Sequence, residues 1–267
     1  MKYVLVTGAS GGMGKATVKR LLSEGYGVFA LDLGGYPEEE GIVSITADVT
    51  KEESLLAAKE KILSYTKELY AIVHFAGVYM LDSLIEIERE RFERAFRINL
   101  FGAFLVNRIM LSLLTKGSRI LITTSELAPL SPLPFTGLYA VTKSALDKYA
   151  YALRMELQLI GITVSVLRAG AVDTGMLGAS TDALDRFCEN TTHYACNAER
   201  FKRIVERVEA RKISPEKLAK RVSRVLGAKK PRFAYAINRN PLLLLAEALP
   251  LRLRFFAIRQ LLKKKDD

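Results

Sequence analysis

Short apolar or β-branched runs alternate with longer segments of helical period along most of this chain, and that alternation limits the folds open to it. "KYVLVT" precedes a helical segment at 13–24, "GVFALD" a loop, "GIVSIT" a segment at 51–64, and "YAIVHF" segments at 83–96 and 100–114. "SRILITTS" comes before a helix from Tyr139 to Ile160, "ITVSVLR" before a long irregular region, and a helix from Pro215 before "RFAYAIN". Each pair of parallel strands needs a crossover, so this order predicts an α/β fold, a doubly wound parallel sheet between two helical layers. Strands that read as continuous apolar runs fit burial on both faces. With 267 residues, 49% of them hydrophobic, and no repeat or Gly/Ser linker, the chain reads as a single domain, 1–238, with a C-terminal helical appendage, 239–267. Ser214 as N-cap and Pro215 at the first helical position mark the last helix of the domain. The stretch 172–213 follows a strand end, has helical pieces near 181–189 and 197–211, and is expected to form a lid or pocket wall.

The net charge of +11 is not spread evenly. Residues 1–199 hold 20 Lys+Arg against 23 Asp+Glu, whereas 200–267 hold 20 against 6. The basic end lacks a nucleic-acid module or interleaved stacking aromatics, so nucleic acid is not an expected partner. The two cysteines, Cys188 and Cys196, and the two histidines, His74 and His193, do not make a metal-ligand set. A reducing, cytoplasmic setting is expected, and the first apolar run is too short for a signal-peptide core.

"TGASGGMG" follows the first strand and opens the first helix. Gly8, Gly12 and Gly14 allow a tight turn and close approach to a pyrophosphate at a helix N-terminus, although such a turn also occurs without a ligand. Asp32 ends the second strand, where a carboxylate accepts hydrogen bonds from a ribose diol and repels a 2′-phosphate. Leu33 and Gly34 beside it supply no arginine, so NAD is favoured over NADP.

In "YAVTK", Tyr139 and Lys143 fall at i and i+4 on one helix face. An ammonium there would draw the phenol from about 10 toward neutrality and suit it for proton exchange, although the same spacing also occurs on ordinary amphipathic helices. Together with the glycine loop, these residues resemble the short-chain dehydrogenase/reductase family over nearly the whole chain. "ADVT" (Asp48, Val49) resembles its adenine-contacting element, "HFAG" (74–77, with Ala76 and Gly77) its Asn-Ala-Gly element, "INLFG" its active-site asparagine at Asn99, and "RAGAVDT" its motif after the sixth strand. The resemblance implies a Rossmann fold and a cofactor site made by Gly8, Ser10, Gly12, Met13, Gly14, Asp32, Asp48, Val49, Ala76, Gly77, Asn99, Tyr139, Lys143, Val172 and Thr174.

It also implies a catalytic set of Asn99, Ser125, Tyr139 and Lys143. Tyr139 would be the general acid/base, Lys143 would tune it and bind the nicotinamide ribose, Ser125 would hydrogen-bond the substrate oxygen, and Asn99 would hold a water leading to Lys143. Two departures stand out: His74 and Phe75 replace residues that are often asparagines, and Ala169 replaces a usual proline. Ser125 lies fourteen residues before Tyr139, one more than is common, which would put Glu126 in the serine's place in a gapless alignment. The prolines at 129, 132 and 134 mark a loop able to absorb one residue, so Ser125 is preferred.

The resemblance further suggests a lipophilic secondary alcohol or ketone as substrate, a hydroxysteroid first, with a 3-oxoacyl thioester as the same-chemistry alternative. A non-catalytic NAD-binding protein that docks through its tail is the reading from another class. Phe135, Leu138, Met176, Leu177, Phe187 and Tyr194 are the expected pocket wall. The helices at 100–114 and 139–160 match those that pair in homodimers or homotetramers of the family. In the tail "NPLLLLAEALPLRLRFFAIRQLLKKKDD" the longest apolar stretch, Pro241 to Ala246, is far short of the ~20 residues needed to span a bilayer. It either packs over the pocket or at a subunit contact, or lays Leu251, Leu253, Phe255, Phe256 and Ile258 into a membrane surface, with Arg252, Arg254 and Arg259 at the headgroups.

Overall fold

The computed structural model describes residues 1–209 and 211–263, and the side chains of 176–182 and 208–209 lie outside that description. The strands are β1 (Tyr3–Thr7), β2 (Gly27–Asp32), β3 (Ile42–Thr46), β4 (Leu69–His74), β5 (Leu114–Thr123), β6 (Thr163–Ala169) and β7 (Ala234–Ile237). They form one parallel sheet in the order β3-β2-β1-β4-β5-β6-β7. The winding direction reverses between β1 and β4, which places a crevice at the C-terminal ends of these two strands.

The helices are α1 (Gly12–Ser23), α2 (Glu52–Leu63), α3 (Arg89–Phe96), α4 (Gly102–Met110), α5 (Gly137–Leu157), α6 (Gly175–Asn190), α7 (Ala195–Glu209), α8 (Pro215–Leu226), α9 (Pro241–Ala248) and α10 (Leu251–Leu262). Alternate strand residues feed two cores. Leu5, Phe29, Leu31, Ile72, Ile120 and Ile122 pack with α2, α4 and α5 on one face. Val4, Val6, Val28, Ala30, Ala71, Val73 and Leu121 pack with α1 and α8 on the other.

Several boundaries differ from the sequence reading. The helix expected from residue 83 begins at Arg89, because Asp82 and Ser83 organise a turn first: the Asp82 carboxylate accepts from Ser83 N–H and pairs with Arg91 at 2.9 Å. A π-helical turn, Arg97–Phe101, joins α3 to α4. The joined helix, Arg89–Leu113, is long and apolar enough to cross a bilayer by composition, yet 44% of its most apolar stretch is buried, as suits a helix packed on a sheet. Ser214 precedes α8 as expected, but its side chain makes no cap bond. The 172–213 insertion is two full helices, α6 and α7. Its ends meet where Val172 bridges Ile213, and Asp173 N–H donates to Ile213 O. The turn between the helices is held by Glu86, whose carboxylate accepts from the Thr191 hydroxyl, from Thr192 and from His193 N–H and is thereby lowered to about 2.

His74, at the end of β4, has a structural place. Its Nε2 lies 2.8 Å from Asn107 Oδ1, and Asn107 in turn donates to the Tyr149 hydroxyl, tying the sheet to α4 and α5. Burial lowers His74 to about 4, so the ring is neutral near pH 7 and its Nε2–H is the donor. An unfolded histidine takes up a proton from about pH 6.5 downward, whereas the folded ring resists until about 4. Stability from this site is therefore complete above about pH 6.5 and is lost as the pH falls toward 4. Between pH 7 and 5 the loss should be about 2 kcal/mol in urea unfolding, and His74→Gln should flatten that part of the profile.

Candidate active site

The glycine loop bends at Gly8, with φ +66°, where an added Cβ would stand 2.6 Å from Ala76 N at the end of β4. At Gly14 the same addition would meet Gly8 O at 2.1 Å, so the loop folds back onto α1 only without a side chain there. No side chain among the described residues caps the N-terminus of α1, and its first turn holds no carboxylate. Its exposed N–H groups are therefore free for an anionic group. Asp32 Oδ2 accepts from Ser10 N–H at 2.9 Å, while the Ser10 hydroxyl donates to Gly35 O. The carboxylate is thus fixed against the loop at the crevice edge. Met13 and Thr174 line the adjoining cleft, and Thr174 lies against Gly12.

The other expected cofactor residues fall on the same strand ends in different roles. Asp48 turns back on its own loop, accepting from Thr50 N–H at 2.9 Å and from its hydroxyl at 2.8 Å. Burial acts to raise Asp48, but these two bonds outweigh it and hold the group below its usual range. Val49 is buried and packs where Gly102 allows close approach. Gly77 marks the centre of the site: a Cβ built there would be 3.1 Å from Asn99 Oδ1 and 3.4 Å from Lys143 Nζ.

Asn99 sits in the π-helical turn. Its Oδ1 accepts from Val78 N–H at 2.7 Å, and its Nδ2 donates to Val78 O and to the Thr142 hydroxyl, each at 3.0 Å. The side chain thus fastens the loop after β4 to the helix bearing Tyr139 and Lys143. One turn further along α5, Asp147 receives two hydrogen bonds from Arg168 of β6, at 3.0 and 2.7 Å, and one from Thr124 at 3.3 Å. Helix α5 is therefore held to the loop after β4 just before Lys143 and to β6 just after it.

Ser125 and Glu126 both line the cleft and both act on the phenol, the serine by a hydrogen bond and the glutamate by its charge. The Ser125 hydroxyl hydrogen-bonds Tyr139 and accepts from Leu127 N–H. The loop turns at Ser125–Ala128 and at Leu127–Leu130, and Ser144 of α5 holds Ala128 O. The expectation that Lys143 draws Tyr139 toward neutrality is corrected. Burial pushes the phenol up to about 12, the Ser125 bond opposes this, and the nearby Glu126 charge adds to it. Lys143 is buried as well, which lowers it to about 8, and its Nζ donates to Thr123 O while standing 5.8 Å from the Tyr139 ring centre.

A family model described as short chain dehydrogenase matches residues 2–185. The chain belongs to that family. An uncharacterized oxidoreductase of Escherichia coli K12, YbbO, is 30% identical over 246 residues, 89% of this chain and 86% of that one. The estradiol 17-beta-dehydrogenase 2 of Mus musculus is 34% identical over 197 residues, 69% of this chain and 51% of the relative. A 3-ketoacyl-(acyl-carrier-protein) reductase from Brucella melitensis, solved with NADH, superposes with a TM-score of 0.72 at 22% identity, covering 88% and 96% of the two chains, and shows the shared fold. The chain is thus an oxidoreductase of the short-chain dehydrogenase family, which takes a nicotinamide cofactor, and the loop and crevice fit such a group.

Beyond the catalytic set, this short-chain dehydrogenase has a cleft with about 1140 Å³ of open space, mouth included. Its wall is not the one expected from sequence. Phe135, Phe187 and Tyr194 pack behind the cleft in a cluster with Phe201 and Leu184, where the Phe135 ring meets Phe187 at a tilt and Tyr194 and Phe201 edge to face. Phe135 also has a left-handed backbone, with φ +62°. Leu138 packs with Met80 and Ala95. Met176 and Leu177 lie outside the described side chains. The cleft is walled instead by Leu127 and Leu133 of the serine loop, Phe201, Ile204 and Val205 of α7, and Leu243 of α9. Tyr79 was also missed, and its ring meets Tyr139 edge to face at 4.5 Å. The helical period of 197–211 was the available signal for the α7 residues.

Glu126 is buried beside the cleft, and its Oε2 accepts from Asn240 N–H at 2.6 Å. Burial raises its carboxyl, against the Asn240 bond and Arg239. Glu126→Gln keeps an acceptor for Asn240 and removes a negative charge that raises Tyr139. The limb of the kcat/KM profile set by phenol ionisation in alcohol oxidation should therefore move to lower pH.

Proposed function

We propose that this chain is an NAD-dependent oxidoreductase interconverting a lipophilic secondary alcohol and its ketone, with a hydroxysteroid-like compound as the first candidate substrate. The observation that carries the reading is the convergence of Ser125, Tyr139 and Lys143 at the base of a cleft walled by Leu127, Leu133, Phe201, Ile204, Val205 and Leu243. Such walls favour an apolar body and leave the serine and phenol as the polar groups that orient one oxygen. The similarity to an estradiol dehydrogenase supports the same class.

In ketone reduction, Tyr139 gives its hydroxyl proton to the substrate oxygen, and in oxidation its phenolate takes one. A phenol at about 12 holds its proton at neutral pH, so the chain by itself is set as a donor. Ser125 donates to the oxygen as negative charge develops there, a role worth several kcal/mol when the donor is already in place. Lys143, at about 8, is still mainly an ammonium at pH 7 and is placed to hold the nicotinamide ribose. The bound nicotinamide supplies the hydride chemistry. The Gly8–Gly14 loop and the N-terminus of α1 would hold its pyrophosphate, Asp32 its adenosine ribose, and the surroundings of Gly77, Asn99 and Lys143 its second ribose.

The preference for NAD rests on Asp32, with no arginine at positions 33 and 34. A homodimer or homotetramer is part of the proposal, supported by the exposed apolar face of Phe101, Phe104, Leu111, Tyr151 and Met155 on the helices that flank the sheet.

Tyr139→Phe should lower kcat for either direction by roughly 10²–10⁴ while leaving NAD affinity by calorimetry unchanged. Equal turnover in the variant would overturn the assignment of the phenol, and a wild-type chain that binds NAD without turnover of any alcohol would favour a binding protein. Asp32→Ser should lower the Kd of NADP relative to that of NAD by about tenfold or more, because the charge opposing a 2′-phosphate is gone.

A further inference from the structure

The C-terminal appendage has two unlike sides. On α10, Arg254, Ile258 and Leu262 follow one another at i, i+4 and i+8 and face the body, where α10 packs on α7 and Asn197 donates to Leu262 O. The other side points outward: Leu242 and Leu245 of α9 and Leu253, Phe255, Phe256 and Leu261 of α10 are each more than half exposed. These are large apolar groups in two adjacent short helices.

The charges around them have one sign. From Asn238 to Lys263 the sole carboxylate is Glu247. It is turned inward, accepting from Ser131 N–H at 2.9 Å and pairing with Arg254 at 3.0 Å. Arg254, expected at a headgroup, is therefore buried and used as a clasp. Arg252 and Arg259 stay exposed on the outer face and form no ion pair among the described residues. Their angular positions on α10 lie between Phe255 and Phe256, so cations and apolar groups are interleaved on one surface.

We propose that the outer face of α9 and α10 docks on an anionic lipid surface, with its leucines and phenylalanines in the acyl boundary and Arg252 and Arg259 at the headgroups. At 12 residues α10 cannot span the hydrocarbon, for which ~20 are needed, so the contact is in the plane of the interface. A second copy of the chain is the poorer occupant. A two-fold contact sets the same patch against itself, which would bring Arg252 and Arg259 together with their own equivalents and no carboxylate between them.

The docked orientation is set by two clasps to the loop that carries Ser125. Glu126 holds Asn240 N–H at the start of α9, and Ser131 holds Glu247 and Arg254. Leu243, which lines the cleft, lies between the exposed Leu242 and Leu244. A residue of the cleft wall and the outward leucines thus belong to one short helix, which offers a route for a substrate dissolved in the membrane. That route rests on the lipophilic-substrate reading, whereas the docking itself does not.

The test is sedimentation of the full chain with vesicles of phosphatidylcholine alone and with vesicles of phosphatidylcholine and phosphatidylglycerol in equal parts. The chain should pellet with the mixed vesicles, release as salt is raised, and stay in solution with the neutral ones. Phe255→Ser with Phe256→Ser should weaken partitioning about tenfold or more. Arg252→Glu and Arg259→Glu should each weaken it roughly fivefold or more. Both sets of variants should keep the wild-type NAD affinity, which shows that the fold is intact whatever the substrate proves to be. The proposal is overturned if the wild type does not pellet with the mixed vesicles, or if the phenylalanine variant pellets as the wild type does. It is also overturned if that variant instead turns a larger assembly into a smaller one by light scattering with no lipid bound by the wild type, which would make the face a contact between copies.

Discussion

An ammonium and a phenol buried together at the edge of a sheet are costly unless their surroundings are rigid and polar in the right places. Lys143 gives a hydrogen bond to Thr123 O, and Tyr139 meets the Ser125 hydroxyl. The two side chains share one face of α5, so the placement of that helix decides whether the site exists. Much of the neighbouring structure serves that placement. Asn99 ties it to the loop after β4, Asp147 and Arg168 tie it to β6, and His74, Asn107 and Tyr149 tie the sheet to the helices beside it. The π-helical turn at Asn99 interrupts a helix that would otherwise run unbroken from Arg89, a local irregularity of the kind often found at functional positions.

The same cluster joins chemistry to the appendage. Glu126, one residue beyond the serine, carries a buried carboxylate whose charge opposes ionisation of Tyr139 while its oxygen holds Asn240. A group that looks unfavourable for proton transfer is thus tied to the segment that closes the cleft. The serine loop, α7 and α9 meet over one apolar space, and on the outer face of α10 Arg252 and Arg259 are exposed.

The sheet, its parallel sense and the crevice were legible in the sequence because they follow from local pattern: β-branched runs for strands buried on two faces, and glycines where a loop must touch a strand end. Gly8 and Gly14 have no room for a Cβ, and that constraint shows directly as residue identity. Prolines 129, 132 and 134 mark the irregular loop on which Ser125 and Glu126 both reach the cleft. What the pattern could not show were choices made by tertiary packing. Phe135 packs with Phe187, Tyr194 and Phe201 and does not line the cleft, and Phe201 and Leu243 reach the cleft from elements far away in sequence. The early start assigned to α3 failed because Asp82 and Ser83 bond their own turn. The tuning of Tyr139 failed because spacing alone reveals neither burial nor the charge of Glu126. Arg254 reads as a surface cation in its leucine-rich context until Glu247 and Ser131 are seen beside it.

The central claim is that the cleft selects an apolar secondary alcohol for oxidation with NAD. The most direct measurement is NADH formation with NAD, and NADPH formation with NADP, across hydroxysteroids, retinol and small secondary alcohols, compared as kcat/KM. Preference for a bulky lipophile, with NAD ahead of NADP, is the expected result, because each methylene placed against the cleft wall adds about 0.8 kcal/mol of apolar burial. Highest kcat/KM with small alcohols, or turnover confined to NADP, would contradict it.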